Sequence, residues 1–570
     1  MKSLRVPIIV LLGLLLLMPA APAAGGAGET APAAPLQSPG AWTGDPVVRT
    51  RYGEVQGYGD RDETWVWRAI PYARPPVGEL RWRAPRDPLP WRGVRRMRSF
   101  HRGCTQYGLL GGIMGGEDCL YLNIWRPRDA GDGLPVYVWI HGGGNSTGSA
   151  TMVPDYYGHR VAARSRMVFV SLNYRLGPFG WFTHPALRAG EPPDDASGNY
   201  GTLDIIKALA WIRENIAAFG GDPARVAIAG ESAGGFNVLS MLISPRAAGL
   251  FQRAICQSGL PASKRIDEAD ARSREVLAKL LLDDGRAGTR SEAQTLAAAM
   301  APEEIRSYLR SKSDRAILRC YTPGVAGMID NPAILRDGFV IPREGFDAFT
   351  DGACANKVPL LIGSNREELK IFLYFTRGLS WKSDLYQALA KYGSALWKAA
   401  GVDGVARKLS AAPGQSPVYA YEFAWGTPDA AGQSPLPGNW GRKLGAFHGL
   451  EISFFLGTDT IFGLLQHFLL TGRNRPGRAA LSGAMMSYAA NFAKNGDPNG
   501  TGGGSLPAWE PWSNAPGGPK CIVLDAAGDT YDIAMSRLEY TEEGVLAAVR
   551  AELAEPLRGR VLEMLQKGLF

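Results

Sequence analysis

The feature that most restricts this chain is Gly230-Glu-Ser-Ala-Gly234, which stands directly after the apolar run Val226-Ala-Ile-Ala229 and before a helical pattern starting near Gly235. A strand that turns this abruptly into a helix forces the corner residue into strained φ/ψ, and small residues on both sides keep the corner free of clashes. Gly230 and Gly234 supply that room. The product is a serine hydroxyl held above a sheet at a helix N-terminus, where backbone N–H groups favour developing negative charge.

The sheet that such a corner needs is legible around it. Residues 136–140, 167–171, 226–229 and 253–256 are short apolar runs, β-branched in part and bounded by Gly, Asn or Pro, and they read as buried parallel strands. Between the second and third, Leu203, Ile206, Leu209, Ile212 and Ile216 recur every three or four residues and stop before Gly220-Gly-Asp-Pro223. That is an amphipathic crossover helix ended by a Gly/Pro turn. Strand, helix and strand in this order, with right-handed crossovers, imply an α/β fold with a doubly wound sheet and helices on both faces. Residues 359–362 and 418–423 add strands after a helical stretch over 266–315, and the tail over 546–569 returns to helical spacing. No internal repeat or long linker divides the chain. A single sheet-centred domain with helical insertions is expected over residues 43–570.

Composition narrows the function classes. With 71 Gly and 40 Pro in 570 residues the chain is loop-rich, yet short of the composition that marks disorder. The 62 Lys+Arg against 54 Asp+Glu leave a formal charge of +8 with no run of five or six like charges, which argues against a nucleic-acid partner. The excess is compatible with a mild preference for anionic substrates or surfaces. At the N-terminus, Lys2 and Arg5 precede an apolar stretch from Val6 to Met18 and an Ala21-Pro-Ala23 site. Residues 1–23 therefore read as a signal peptide, and the apolar stretch is short for the ~20 residues of a spanning helix. Residues 24–42, rich in Ala, Pro and Gly, read as a flexible leader. A secreted or periplasmic protein without stable membrane insertion is expected.

Six cysteines in an exported chain permit disulfides. Cys104 and Cys119 are near one another and enclose a glycine-rich loop, so they are the expected bridge. Cys320 with Cys354 is the second choice, while Cys256 lies in an apolar run and reads as a buried thiol. No C-x-x-C spacing supports a zinc or redox site.

An activated serine needs a base, and on this type of sheet the chain order is serine, acid, histidine. Of the six histidines only His448 and His467 follow Ser232. His467 sits in an apolar helical run, whereas His448 lies in a loop between Phe447 and Gly449, with Glu451 three residues on, and is the better base. The acid belongs on a loop leaving a strand. Gly363-Ser-Asn-Arg-Glu-Glu368 offers both Glu367 and Glu368, and spacing does not choose between them. The acid orients the imidazole and so points inward, leaving its neighbour to face out. His141-Gly-Gly-Gly144, just after the first strand of the alternating region, lets backbone N–H groups turn toward one point, as a tetrahedral oxyanion requires.

Further along the chain stand Ile70-Pro-Tyr-Ala73, Pro75-Pro-Val-Gly-Glu-Leu-Arg81, Glu117-Asp-Cys-Leu-Tyr-Leu-Asn123, Asn173-Tyr-Arg-Leu-Gly177, Gly198-Asn-Tyr-Gly201, Phe219-Gly-Gly-Asp-Pro223 and Asn495-Gly-Asp-Pro-Asn499. With the serine and glycine motifs, this ordered set resembles the type-B carboxylesterases, the cholinesterase-like branch of the α/β-hydrolases, from Gly53 to about Trp512. The resemblance implies an α/β-hydrolase fold and hydrolysis of small-molecule carboxylic esters through an acyl-enzyme, with no metal or cofactor. It implies Ser232 as nucleophile, Glu368 as acid, His448 as base, and oxyanion donors at the N–H groups of Gly143, Gly144 and Ala233. It also supports the Cys104–Cys119 bridge, which in relatives closes a loop over the active-site gorge.

Three departures limit the transfer. Asn145 stands where relatives usually carry an aromatic, implying a more polar acyl-pocket wall. The Cys104–Cys119 loop is short and has no Trp, so the cation–π platform of a choline esterase is missing. Asn145-Ser-Thr147 is a glycosylation sequon that would obstruct the oxyanion turn, and is read as fortuitous; Asn499-Gly-Thr501 is the second sequon. A lipase acting on longer acyl chains is the alternative within the same chemistry. A non-catalytic binding protein on this fold is the alternative outside it, set against the intact Ser232, Glu368 and His448.

Overall fold

The computed structural model describes residues 36–500 and 506–567, so the expected signal peptide over 1–23 lies outside the described residues. Eleven strands form one sheet: β1 (Tyr58–Asp60), β2 (Thr64–Pro71), β3 (Tyr121–Pro127), β4 (Leu134–Ile140), β5 (Val168–Leu172), β6 (Gly221–Glu231), β7 (Arg253–Gln257), β8 (Leu360–Asn365), β9 (Val418–Phe423), β10 (Cys521–Ala527) and β11 (Thr530–Ser536). Their spatial order is β1-β2-β3-β5-β4-β6-β7-β8-β9-β10-β11. The run from β5 to β10 is parallel, and the antiparallel pairs are confined to the two ends.

Alternation along the central strands explains why they are buried on both faces. On β4, Val136, Val138 and Ile140 enter one core while Tyr137 and Trp139 enter the other. On β6, Val226 and Ile228 share the first core, and Ala227 and Ala229 the second. The first core is covered by α1 (Tyr200–Asn215), through Leu203, Ile205, Leu209 and Ile212, and by α2 (Ala233–Ile243), through Val238, Leu239 and Leu242. The second is covered by α3 (Arg475–Asn495), through Leu481, Met485, Tyr488 and Phe492. Each such aliphatic side chain withdrawn from water contributes about 1.5–3 kcal/mol. The crossover helix and the four central strands thus agree with the sequence reading. The sequence reading omits the outer antiparallel strands, although for β10 and β11 a signal stands in the chain: Gly528-Asp529 is a two-residue hairpin turn between two β-rich runs.

Registers align the carboxyl ends. Ile140 pairs with Gly230, Gly230 with Cys256 and Cys256 with Ile362, so the loops leaving β4, β6, β7 and β8 emerge along one edge. That edge is where open α/β sheets hold their ligands.

Cys104 and Cys119 are bridged. The second-choice pair is not formed: Cys320 packs in the helical cluster with Val276 and Ile317, whereas Cys354 belongs to the sheet core, and both are free buried thiols. Cys256 is likewise a buried free thiol. The end of the expected leader is docked. Gln37 and Gly40 donate to the carbonyls of Arg51 and Arg49, and Trp42 packs edge-on against Trp67 with the Arg126 guanidinium over its ring. Among the described residues no helix is long and apolar enough to cross a membrane.

Candidate active site

β6 runs into α2 through Ser232, whose φ of 56° and ψ of −123° are those of a strained corner. Its N–H donates to the Gln257 carbonyl at 2.9 Å, which pins the corner to β7. The need for glycine is steric. A Cβ on Gly230 would lie 2.5 Å from the Gly234 carbonyl, and one on Gly234 would lie 2.1 Å from the Ile140 carbonyl oxygen. Both obstacles are backbone atoms with no freedom to retreat.

The glycine turn after β4 is built to aim N–H groups. In a planar trans peptide the N–H points opposite to the carbonyl before it, so fixing one fixes the other. His141 Nδ1 donates to the Gly142 carbonyl at 2.8 Å, and the N–H of Gly143 is thereby directed the other way. Burial holds His141 down to about 4, only partly offset by that carbonyl, so the ring is neutral, and a carbonyl partner requires the proton on Nδ1. The Gly143 carbonyl accepts from Ser146 N, Thr147 N and Thr147 Oγ1 at 3.1, 2.9 and 3.0 Å, which directs the Gly144 N–H. The Ser232 carbonyl accepts from Phe236 N at 2.9 Å, which directs the N–H of Ala233, the first residue of α2. Among the described residues the Gly143 and Gly144 N–H groups have no protein acceptor.

Glu368 stands in the turn that follows β8, and His448 in the loop over 445–450. Glu368 is fully buried; its Oε1 accepts the Asn365 N–H at 2.7 Å and its Oε2 lies 2.5 Å from His448 Nδ1. Glu367 does not face solvent as expected. It accepts the Ala446 N–H at 3.0 Å and pairs at 2.5 Å with the buried Lys370 ammonium, which also donates to the Gly441 carbonyl, so it fastens the loop that carries His448. The rings of Phe372 and Trp397, stacked on one another, both pack against the imidazole of His448 with their centroids 5.1 Å away. His467 is exposed on the short helix Gln466–Leu469, with its ring beside Gln466. No hydrogen bond joins Ser232 to His448 among the described residues. Nε2 instead has Glu231 Oε1 at 3.1 Å, out of line for a hydrogen bond.

The sequence reading passes over Glu231 and notes Glu451 only as a neighbour of His448. Glu231, the second residue of the serine motif, and Glu451, three residues beyond His448, are both buried beside the imidazole. Glu451 accepts from Ser258 Oγ at 3.1 Å and from Asn365 Nδ2 at 2.5 Å. Burial pushes Glu231 up to about 7, with His448 opposing, and pushes Glu451 up to about 8, helped by Glu231 and Glu368. On His448 burial works against the imidazolium, but Glu231, Glu368 and Glu451 outweigh it and raise the ring to about 9. The signal for both was present: a carboxylate adjacent to the nucleophile and one at helical spacing from the histidine.

Asn145 does not form a polar wall of the acyl pocket. It is 3% exposed and its amide turns inward, which also removes it as a glycan acceptor. Both amide protons of Asn499, in the second sequon, are engaged by Asp497 and the Trp509 carbonyl. The bridged loop is fastened to the glycine turn: Gln106 Nε2 donates to the Gly148 carbonyl at 2.8 Å and its Oε1 accepts the Gly148 N–H at 2.7 Å.

A largely parallel sheet with helices on both faces, a strand-to-helix serine corner and a buried Glu–His pair at its carboxyl edge define an α/β-hydrolase. Comparison with known proteins narrows the class. The chain belongs to the carboxylesterase family, whose model matches residues 44–395 and 381–520. It is 32% identical to the medium-chain fatty acyl-CoA hydrolase precursor of Anas platyrhynchos over 83% of this chain and 88% of that one. It is 31% identical to the para-nitrobenzyl esterase of Bacillus subtilis over 80% of this chain and 90% of that one. The crystal structure of a Geobacillus stearothermophilus carboxylesterase superposes with a TM-score of 0.66 at 30% identity, covering 86% of this chain and 98% of that chain. The protein is a carboxylic ester hydrolase.

Proposed function

We propose that Ser232, His448 and Glu368 carry the hydrolysis, with Gly143, Gly144 and Ala233 as oxyanion donors. Ser232 Oγ attacks the ester carbonyl while His448 Nε2 takes its proton. The carbonyl oxygen becomes an oxyanion facing the three N–H groups, and the intermediate collapses as His448 passes the proton to the departing alcohol. Water then repeats the sequence on the acyl-enzyme, leaving the carboxylic acid and free Ser232. The observation that carries this reading is the 2.5 Å contact of Glu368 Oε2 with His448 Nδ1, which frees Nε2 for the serine. Ser232→Ala is expected to lose about 10⁶ in turnover, as removal of a triad nucleophile does elsewhere. Wild-type hydrolysis of a p-nitrophenyl ester by that variant, or failure of a fluorophosphonate to label Ser232, would overturn the assignment.

The substrates in this reading are small-molecule esters. The para-nitrobenzyl esterase of B. subtilis makes p-nitrobenzyl esters the natural first probes. A preference for longer acyl chains is the second reading, favoured by Leu109, Leu110 and Met114, which are 41%, 62% and 48% exposed on the bridged loop. A series of p-nitrophenyl esters from acetate to palmitate, below and above the micellar concentration, separates the two. Residues 43–570 act as one catalytic domain, and residues 1–23 direct export to the periplasm or medium. N-terminal sequencing of the exported protein is expected to begin at Ala24.

A further inference from the structure

The three N–H groups assigned to the oxyanion come from two separate pieces of chain, the glycine turn after β4 and the first turn of α2. Unless those pieces keep their spacing, the donors no longer meet at one point. Asn145 has a φ of 53°, in the left-handed region that Asn tolerates better than other side chains. This conformation turns its amide away from the turn's open side and into the protein, where Oδ1 accepts from Asn237 Nδ2 at 2.9 Å. Asn237 is a fully buried residue of α2, on the same helix whose first N–H belongs to Ala233. The other end of the turn is fastened as well. The Tyr174 hydroxyl donates to the His141 carbonyl at 2.8 Å, stacks its ring on the His141 ring at 4.5 Å, and lies 3.4 Å from Asn145 Oδ1. The Asn145 carbonyl accepts the Gly177 N–H at 2.7 Å.

A buried amide pair contributes little net stability, because both partners give up water to meet. What it supplies is direction and distance, which apolar contacts do not specify. We infer that Asn145 and Asn237 are positioning residues that hold the two halves of the oxyanion hole in register, an inference that rests on reading Gly143, Gly144 and Ala233 as its donors. Neither side chain touches substrate. They act through the backbone that each carries.

The test is a double-mutant cycle on Asn145→Gly, which keeps the left-handed backbone and removes the amide, and Asn237→Ala, which keeps the helix. Turnover is expressed per reactive serine, titrated with a fluorophosphonate, so that misfolded protein does not count. Each single variant is expected to lose about tenfold in kcat with KM within about twofold, less than the loss of a donor itself. Because both remove one hydrogen bond, the double variant is expected to match the singles rather than multiply them. Affinity for a trifluoromethyl ketone, which adds to Ser232 and builds the same oxyanion, is expected to fall by the same factor as kcat/KM. Unchanged kcat and ketone affinity in both singles, or losses that multiply in the double, would overturn the inference. If Asn237→Ala does not fold, Asn145→Gly decides it through kcat and ketone affinity. An active Ser232→Ala protein marks failure of the catalytic assignment instead. An inactive Ser232→Ala beside unaffected asparagine variants marks failure of the clamp alone.

Discussion

Glu231 Oε1 lies 3.1 Å from His448 Nε2 while Glu368 Oε2 lies 2.5 Å from Nδ1, so the imidazole has a carboxylate at each nitrogen. Glu451 stands close behind, and all four groups are buried. His448, Glu231 and Glu451 act on one another, so a pH profile reports them together rather than one side chain. In the proposed mechanism His448 must be neutral to take the serine proton. Since burial is outweighed and the ring raised to about 9, kcat/KM is expected to climb with pH through the neutral and mildly alkaline range. The charge of Glu231 is the largest single influence that raises it, ahead of the charge and the hydrogen bond of Glu368. Glu231→Gln deletes that attraction, makes the imidazolium less favourable, and is expected to move the midpoint to lower pH by about one unit or more. Profiles of kcat/KM for the two proteins check this; a midpoint that stays or rises contradicts it.

Adjacent carboxylates on one loop have separate tasks, and amide substitution separates them. Glu368→Gln removes the charge that orients and stabilises the imidazolium, and a loss of about 10⁴ in kcat is expected, the size seen when a triad acid becomes an amide. Glu367→Gln keeps an oxygen for the Ala446 N–H but leaves the Lys370 ammonium, whose side chain is 3% exposed, without its carboxylate. Stability is expected to fall by about 3 kcal/mol, with kcat per labelled serine within about tenfold of wild type. Urea midpoints and active-site-titrated kcat distinguish the two. Equal, small losses in both variants would remove Glu368 from its role.

The serine corner and the glycine turn are legible in the sequence because each rests on a local backbone demand that only small residues meet. The central strands are legible because burial on both faces leaves short runs of apolar residues. What spacing could not settle is tertiary. Glu367 and Glu368 leave the same strand end, and only the N–H of Asn365, the ring of His448, the N–H of Ala446 and the ammonium of Lys370 divide the work between them. Asn145 was expected in the acyl wall because a left-handed φ and a partner 92 positions away carry no local signature. Cys320 and Cys354 are as eligible as any pair by sequence, and the two cores that receive them keep them apart.

The Cys104–Cys119 bridge closes a loop whose residue Gln106 makes two hydrogen bonds with Gly148, a position where a Cβ would lie 2.6 Å from His141 Nδ1. Reduction of the bridge, or Cys104→Ser with Cys119→Ser, is expected to cost about 3 kcal/mol for a closed loop of this size. Slack in the loop reaches the glycine turn through Gln106, so kcat is expected to fall along with stability, and Gln106→Ala to reproduce the kcat loss at a smaller stability cost. Thermal unfolding and kcat before and after reduction test the link. A reduced protein with full kcat well below its melting temperature would sever it.

Gly234 and Gly483 both lie in helices, yet Ala is expected to have opposite effects at the two. At Gly234 a Cβ would sit 2.1 Å from the Ile140 carbonyl oxygen and 3.0 Å from that of His141, atoms of the strand end that leads into the glycine turn. The clash is relieved only by moving α2 away from β4, which separates the Ala233 N–H from those of Gly143 and Gly144. Gly234→Ala is therefore expected to lose about 10² or more in kcat, comparable to loss of an oxyanion donor, as well as stability. At Gly483, within α3, a Cβ would meet nothing within 4 Å. There the substitution only restricts the unfolded chain and favours the helix, so Gly483→Ala is expected to gain about 0.5–1 kcal/mol with kcat unchanged. Denaturant midpoints and kcat for the pair decide whether contact at the corner, rather than glycine in a helix as such, sets the cost. A Gly234→Ala enzyme with wild-type turnover would mean that α2 and the glycine turn need not keep their distance.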